Sequence, residues 1–244
     1  MRLDVYLVDT ALVDSRTDAK KFIIGGAVSV NGKIVNKPAF DVSGDEKILV
    51  DKSSKKYVSR GGLKLEAALD EFSVGVQGAL AIDVGASSGG FTDCLLKRGA
   101  TRVLAVDSGS GQLAQSIRND SRVSVYENFN ARYMSSTDFD YVPDFAVMDV
   151  SFISAKLIIP AVCSVLAPDG RFICLIKPQF EVGRSGLNKK GIVKSEELRR
   201  RAVNDVVESA SLCGFKLMGL MESPIVGGDG NIEYLAFFKK QLII

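Results

Sequence analysis

A predicted strand, a glycine-rich turn and a helix start follow one another between residues 80 and 96. The apolar run 80–84 breaks at Gly85 into small residues, and an amphipathic helix begins near Phe91. Glycine lets a ligand approach the backbone closely, and a helix start offers N–H groups without intrahelical partners. A second apolar run ends at Asp107. This pattern restricts the region to an α/β fold that can hold a nucleoside-bearing ligand between two strand ends.

The same alternation of strand and helix continues to the end of the chain. The sequence predicts strands at 80–84, 103–107, 123–126, 144–149, 171–177, 216–221 and 233–238, and helices at 62–71, 91–98, 111–118, 155–166 and 195–212. Short strands separated by helices are typical of a mostly parallel sheet covered on both faces. We therefore predict a Rossmann-like sheet, with the last two strands forming an antiparallel edge hairpin.

The first 56 residues have a different pattern. Helices are predicted at 2–12 and 16–24, a hairpin at 28–35 around Asn31-Gly32, and a strand at 48–50. Asn-Gly between alternating runs favours a hairpin because both turn residues need positive φ. The stretch 52–56 is polar and basic, which predicts a linker. We therefore predict a small α+β domain over 1–56 and a larger α/β domain over 57–244.

Charge is distributed unevenly along the chain. The net charge is +2, yet residues 1–64 carry 12 Lys and Arg against 8 Asp and Glu. An excess of cations at one end favours a polyanionic partner, although a solvated surface gives the same count.

The small domain resembles the S-four RNA-binding domain. The residues that carry the resemblance are Arg2-Leu3-Asp4, Ser15-Arg16, Ala19, Ile24, Gly26, Val28 and Val30-Asn31-Gly32. In that family the second helix and the hairpin face RNA. The resemblance implies that a set of cations contacts RNA phosphates, which positions RNA without reading its sequence. The set is Arg2, Arg16, Lys20, Lys21, Lys33 and Arg60.

Cysteine and histidine content limits the chemistry. The four cysteines are scattered without a Cys-x-x-Cys pair, which favours reduced thiols in a cytoplasmic protein over disulfides or a metal site. The chain contains no histidine, so a general base must be another residue type. No apolar run approaches the ~18 residues of a membrane span, and the first residues do not resemble a secretion signal.

The glycine turn points to a particular cofactor class. A dinucleotide fingerprint needs a middle glycine where this chain has Ser87. The turn resembles instead the Asp-x-Gly-x-x-x-Gly-Gly turn of S-adenosylmethionine-dependent methyltransferases. The resemblance implies that Asp107 binds the ribose hydroxyls and that the turn contacts the methionine part. The implied turn residues are Asp83, Gly85, Ala86, Ser87, Gly89, Gly90 and Phe91.

Four charged residues complete the candidate site: Lys64, Asp149, Lys177 and Glu233. Each has a structural alternative, such as a turn cap or a strand exit. Together they resemble, in the same chain order, the Lys–Asp–Lys–Glu tetrad of FtsJ-type ribose 2′-O-methyltransferases. The surrounding segments 57–64, 83–93, 149–154 and 177–181 resemble the TlyA family, which joins an S-four domain to an FtsJ-type domain. That resemblance implies a class I methyltransferase sheet and transfer of a methyl group to a cytidine ribose of ribosomal RNA.

These four residues lead to a hypothesis for the mechanism. A ribose hydroxyl attacks a methyl group as it loses its proton, and Lys177 is the candidate base. An ordinary lysine has a pKa of about 10.4, so a lysine base needs desolvation and a neighbouring cation such as Lys64. Asp149 would orient Lys177, and Glu233 would position Lys64.

Three other functions remain open from the sequence. A base methyltransferase is disfavoured because segment 149–152 lacks an Asn-Pro-Pro-Tyr motif. A non-catalytic RNA-binding or ribosome-assembly protein would fail to bind S-adenosylmethionine. A membrane-lytic haemolysin, which an older label of the family suggests, would make liposomes leak.

Overall fold

The computed structural model describes residues 1–51, 56–227 and 230–241. The chain divides into two compact units, a small unit spanning Met1–Arg60 and a large unit spanning Gly61–Ile244. The proposed linker residues 52–55 lie outside the described residues, and Lys56 lies inside them.

The small unit packs two helices against a three-stranded sheet. Helices α1 (Leu3–Asp9) and α2 (Arg16–Ile24) precede strands β1 (Val28–Val30), β2 (Lys33–Ile34) and β3 (Ile48–Val50), which form an antiparallel sheet in the order β2-β1-β3. The core consists of apolar side chains from both layers, including Leu3, Leu7, Phe22, Ile23 and Val28.

Local sequence signals explain these elements. Asn31 and Gly32 both have positive φ, at 49° and 77°, as the predicted hairpin turn requires. The Ser15 side chain accepts the backbone N–H of Asp18 and caps α2. Helix α1 is shorter than the predicted 2–12 because Ala11 has a φ of 55°, which an α-helix does not allow.

The large unit contains one seven-stranded sheet. Its elements in chain order are α3 (Gly61–Glu71), β4 (Leu80–Val84), α4 (Gly90–Lys97), β5 (Arg102–Val106), α5 (Gln115–Arg118), β6 (Val123–Tyr126), β7 (Phe145–Met148), α6 (Ile159–Val165), β8 (Arg171–Ile176), α7 (Glu196–Leu212), β9 (Phe215–Glu222) and β10 (Tyr234–Lys240). The strand order is β6-β5-β4-β7-β8-β10-β9.

The sheet is parallel from β6 to β8, and β10 runs antiparallel to both β8 and β9. This agrees with the predicted class I methyltransferase sheet and its antiparallel edge hairpin. Strands β5 and β6 lie on one side of β4, and β7 and β8 lie on its other side. The loops that leave β4 and β7 therefore diverge, and a crevice opens between them at the carboxyl ends of the strands. Open α/β sheets bind ligands at such a switch point.

Helices cover both faces of this sheet. Ile82 and Val84 of β4 belong to the same buried cluster as α6 and α7, which supply Val162 and Val206. Asp83, which lies between these two residues on β4, points to the other face of the sheet, where Thr92 of α4 donates a hydrogen bond to it. The buried strands are near-continuous apolar runs because both of their faces are covered.

Two predicted helices differ from the structure. The predicted helix 111–118 is only Gln115–Arg118, because Gly111 has a φ of 69° and Ala114 is extended. The predicted helix 155–166 divides into a 3₁₀ turn at Ala155–Leu157 and α6, with a proline in the first turn of α6. Proline suits a helix start because it has no N–H to leave unpaired.

Candidate active site

A cavity of about 650 Å³ opens at the carboxyl ends of the parallel strands. Its walls come from the loops that follow β4, β5, β6 and β7, so they converge from four consecutive strand–loop units. Its lining includes Gly85, Ser87, Asp107, Gln112, Phe129, Asp149, Ser151 and Phe152.

The turn after β4 brings the backbone close to the Asp149 loop. Gly85 has a φ of 86°, and a Cβ atom there would lie 2.4 Å from the backbone oxygen of Asp149. Gly89 has a φ of 92° and caps α4. Only glycine fits the close approach at Gly85 without moving backbone, so the turn leaves space that a side chain would otherwise fill.

Asp107 ends β5 at the mouth of this turn. Its two carboxylate oxygens accept the backbone N–H groups of Ser87 and Gly109, each at 2.7 Å. An ionised carboxylate has about four acceptor sites, so two remain for a ligand. Asp107 is therefore held in place and still able to accept hydrogen bonds from a diol in the cavity.

Asp83 lies beneath the turn and is fully buried. Thr92 donates a hydrogen bond of 2.6 Å to its Oδ2, while Oδ1 has no hydrogen-bond partner. Burial raises the pKa of Asp83 to about 7, an effect that the Thr92 bond partly offsets. A buried polar atom without a partner is unusual in a folded protein.

Lys177 and Asp149 form an ion pair at adjacent strand ends. Lys177 follows β8, Asp149 follows β7, and Lys177 Nζ lies 2.5 Å from Asp149 Oδ1. Lys177 also donates a hydrogen bond of 2.7 Å to Ser151 Oγ. Asp149 and Ser151 line the cavity, so they hold the lysine next to it.

Lys64 and Glu233 form a second, more buried ion pair. They are 169 positions apart in sequence, and Lys64 Nζ lies 2.5 Å from Glu233 Oε2. Lys64 is 8% exposed and Glu233 3%. Gln179 donates a hydrogen bond of 3.2 Å to the other oxygen of Glu233.

Strand register explains why the two ion pairs share one edge of the sheet. Tyr234, the first residue of β10, pairs with Ile176, the last residue of β8. Because β10 is antiparallel to β8, the residues that flank this pair, Glu233 and Lys177, meet at the same rim. A strand that ran parallel to β8 would have placed Glu233 at the opposite edge.

The cavity includes some of the sequence-predicted residues and not others. Gly85, Ser87, Asp107 and Asp149 line it, whereas Lys64, Lys177 and Glu233 do not. The remaining predicted cofactor residues do not line it either: Asp83, Ala86, Gly89, Gly90 and Phe91. Asp83 and Phe91 are turned into the interface between sheet and α4, where they are buried.

Two aromatic residues of the cavity received no role from sequence. Phe129 lines the wall after β6, where its backbone N–H donates to the carbonyl of Asp107. Phe152 is 92% exposed and has a φ of 64°. A bulky residue in the left-handed region stores strain, and such residues cluster at functional sites. The exposure of this ring is a property of the folded chain, so the sequence carries no signal for it.

The predicted RNA-binding cations lie in the small unit. Arg2 and Arg16 both pair with the buried carboxylate of Asp4, at 2.9 and 3.2 Å, and their side chains remain 47% and 57% exposed. Arg2 contributes most to holding the pKa of Asp4 below its usual value. The guanidinium of Arg60 packs against Gly26. The other predicted cations, Lys20, Lys21 and Lys33, are exposed.

Three features together define a class I methyltransferase. They are the strand order of the sheet, the antiparallel strand β10, and a cavity at the carboxyl ends of the strands with an acidic residue after each of β5 and β7. The chain matches the FtsJ-like methyltransferase family over residues 57–240 and the S4 domain over residues 1–48. The chain belongs to the FtsJ-like methyltransferase family, and an S4 domain precedes its methyltransferase domain.

Relatives match this chain along nearly its whole length. Hemolysin A of Brachyspira hyodysenteriae is 44% identical over 98% of this chain and 99% of its own length. The 16S/23S rRNA (cytidine-2'-O)-methyltransferase TlyA of Mycobacterium tuberculosis is 41% identical over 98% of this chain and 90% of its own. A solved structure from Streptococcus thermophilus, which carries a hemolysin name, is 41% identical with a TM-score of 0.79, covering 99% of this chain and 89% of that one.

The described part of the chain contains neither a candidate membrane span nor a candidate metal site. None of its helices has the length and apolar character needed to cross a bilayer. Its His, Cys, Asp and Glu side chains form no group of three or more suited to a metal ion. All four cysteines are free thiols, and Cys94 and Cys174 are buried.

Proposed function

We propose that this protein transfers a methyl group from S-adenosylmethionine to the 2′-hydroxyl of a cytidine ribose in ribosomal RNA. Membership of the FtsJ-like family supports methyl transfer, and the mycobacterial relative's name supports the substrate and position. The observation that carries the proposal is the pair of ion pairs, Lys177–Asp149 and Lys64–Glu233, at the rim beside the cavity. An enzyme with this substrate would work in the cytoplasm.

The cavity suits S-adenosylmethionine. Asp107 would accept hydrogen bonds from the ribose hydroxyls, and Gly85 and Ser87 leave room for the methionine part. When bound, the cofactor supplies an electrophilic methyl group on a sulfonium centre.

Lys177 is the residue best placed to take the proton of the ribose hydroxyl. Asp149 holds its amine beside the cavity through an ion pair, and Ser151 accepts a hydrogen bond from it. We infer that Asp149 and Ser151 mainly aim Lys177, and that alignment of the reactants supplies much of the rate.

The RNA would contact both units. In the small unit, Asp4 holds Arg2 and Arg16 in fixed positions, so their exposed guanidinium edges can meet phosphates with little loss of side-chain entropy. In the large unit, the exposed ring of Phe152 offers a surface on which a base taken out of its stack can rest.

The test is methyl transfer by Lys177→Ala compared with Lys216→Ala, a control that removes an exposed lysine from β9. Labelled S-adenosylmethionine and ribosomal RNA are the substrates, and calorimetry reports cofactor binding separately. We expect Lys177→Ala to bind the cofactor and lose at least ~100-fold in rate, as for removal of a general base. Undiminished transfer by Lys177→Ala would overturn its role, and a wild-type chain without cofactor affinity would favour a non-catalytic RNA-binding protein.

A further inference from the structure

A loop of the large unit concentrates positive charge next to the rim. We call residues 184–194 the basic loop. It carries four cations and no acidic residue: Arg184, Lys189, Lys190 and Lys194. All four are exposed, and within the described ranges none of them pairs with a carboxylate. Their charge is therefore available to a polyanion.

The basic loop is folded tightly on itself. Leu187 and Val193 form an antiparallel bridge, and the backbone N–H of Asn188 donates to Ile192. The side-chain oxygen of Asn188 accepts the backbone N–H groups of Lys190 and Ile192, at 2.8 and 3.1 Å. These bonds fix the tip, so Lys189 and Lys190 are presented from a structured turn.

A buried asparagine fastens the basic loop to the segment before β10 that contains Glu233. Asn231 is 2% exposed. Its side chain accepts the N–H of Val193 at 3.0 Å and donates to the carbonyl of Gly191 at 3.0 Å. Because Glu233 follows two residues later, the loop and the Lys64–Glu233 pair are held by one short segment.

A second attachment reaches the Asp149 side of the site. The basic loop begins seven residues after Lys177, and the connecting segment contains Glu181. The Glu181 carboxylate accepts a hydrogen bond from Ser154 Oγ at 2.5 Å and from the backbone of Ala155 at 2.7 Å. The loop after β7 and the segment leading to the basic loop are thus joined.

We propose that the basic loop is a phosphate-binding surface of the large unit, which seats the RNA strand beside the catalytic rim independently of the small unit. The inference rests on the proposed function, because a polyanionic substrate at this rim explains four unpaired cations on a structured, anchored turn. Phosphate contacts there would align the target ribose while leaving sequence recognition to other contacts.

The experiment compares two double variants that remove the same charge from the large unit. Lys189→Ala/Lys190→Ala changes the basic loop, and Lys216→Ala/Lys239→Ala changes two exposed lysines that pair in register at the opposite edge of the sheet. Binding of a ribosomal RNA transcript is measured across a salt series, with methyl transfer measured in parallel.

We expect Lys189→Ala/Lys190→Ala to weaken RNA binding and to flatten the plot of log affinity against log salt. Two lost phosphate contacts reduce its slope by about 1.4 to 1.8. The control should match the wild type, and both variants should keep wild-type affinity for S-adenosylmethionine.

Each outcome has a separate meaning. If Lys189→Ala/Lys190→Ala and the control give the same salt slope while the wild type methylates RNA, the basic-loop proposal is wrong and the proposed function stands. If the loop variant shows the flattened slope but the wild type transfers no methyl group, the proposed function is wrong and the loop remains an RNA-binding surface. Displacement of the RNA by polyglutamate at equal charge would overturn the assignment to RNA.

Discussion

The substitution Asp83→Asn tests the electrostatics beneath the glycine turn. Burial raises the pKa of Asp83 from 3.8 to about 7. Between those values the folded chain holds a proton that the unfolded chain has released. The unfolded state then binds fewer protons, so the free energy of unfolding falls as the pH rises through this window. Because the pKa of Asp83 rises by about three on folding, Asp83 contributes ~4 kcal/mol to the free energy of unfolding at low pH. About 3 kcal/mol of this contribution is lost between about pH 5 and about pH 8.

Urea denaturation followed by circular dichroism at several pH values measures this loss. Asparagine keeps an acceptor for Thr92 but cannot titrate, so Asp83→Asn should lack the Asp83 contribution to the pH slope. Any constant packing cost of the substitution cancels when slopes are compared. Asp169→Asn is the control because Asp169 is 61% exposed and its φ of 63° suits asparagine. Parallel pH curves for wild type and Asp83→Asn would refute the reasoning.

Three further substitutions probe the rest of the site. Gly85→Ala places a Cβ 2.4 Å from a backbone oxygen at a φ of 86°. The turn would have to move or bear ~1–3 kcal/mol of backbone strain, so calorimetry should show at least a ~10-fold loss of cofactor affinity. Unchanged affinity would contradict the close approach. Glu233→Gln leaves the buried Lys64 ammonium without its carboxylate partner, so urea denaturation should show an unfolding free energy lower by ~3 kcal/mol. No loss of unfolding free energy would mean that water solvates Lys64. Phe152→Gly removes an exposed ring and its strained φ, so RNA affinity should fall ~10-fold in a binding titration while stability is retained; unaltered RNA affinity would exclude stacking on this ring.

Local signals in the sequence predicted the fold well where one segment decides the conformation. Asn31-Gly32 predicts its own hairpin because positive φ at both residues is a local property, and the apolar run 80–84 matches β4 residue for residue. The predicted helix 111–118 is too long because the backbone leaves the helical region at Gly111 and Ala114, where Gln112 instead accepts a hydrogen bond from Ser87 across the turn. That contact depends on residues 25 positions apart, which periodicity does not register.

The site was predictable only in part for the same reason. Resemblance to a family supplied the four charged residues, and the sequence analysis paired Lys64 with Glu233 and Lys177 with Asp149. Their distances, however, depend on the parallel pairing of β7 with β8 and on the register of β10 against β8. The cavity wall formed by Phe129 and the exposure of Phe152 arise from loops that meet only in the folded chain. No pattern within either loop marks these residues as facing a ligand.

The central claim is that Lys177, aimed by Asp149 beside the cavity, serves transfer of a methyl group to a ribose hydroxyl. Its most direct test is to label ribosomal RNA with methyl-tritiated S-adenosylmethionine and hydrolyse the product with alkali. A 2′-O-methyl group blocks cleavage of the adjacent phosphodiester, so the account predicts label in an alkali-resistant dinucleotide that begins with cytidine, and none with Lys177→Ala. Label released in single nucleotides, or equal labelling by wild type and Lys177→Ala, would contradict it.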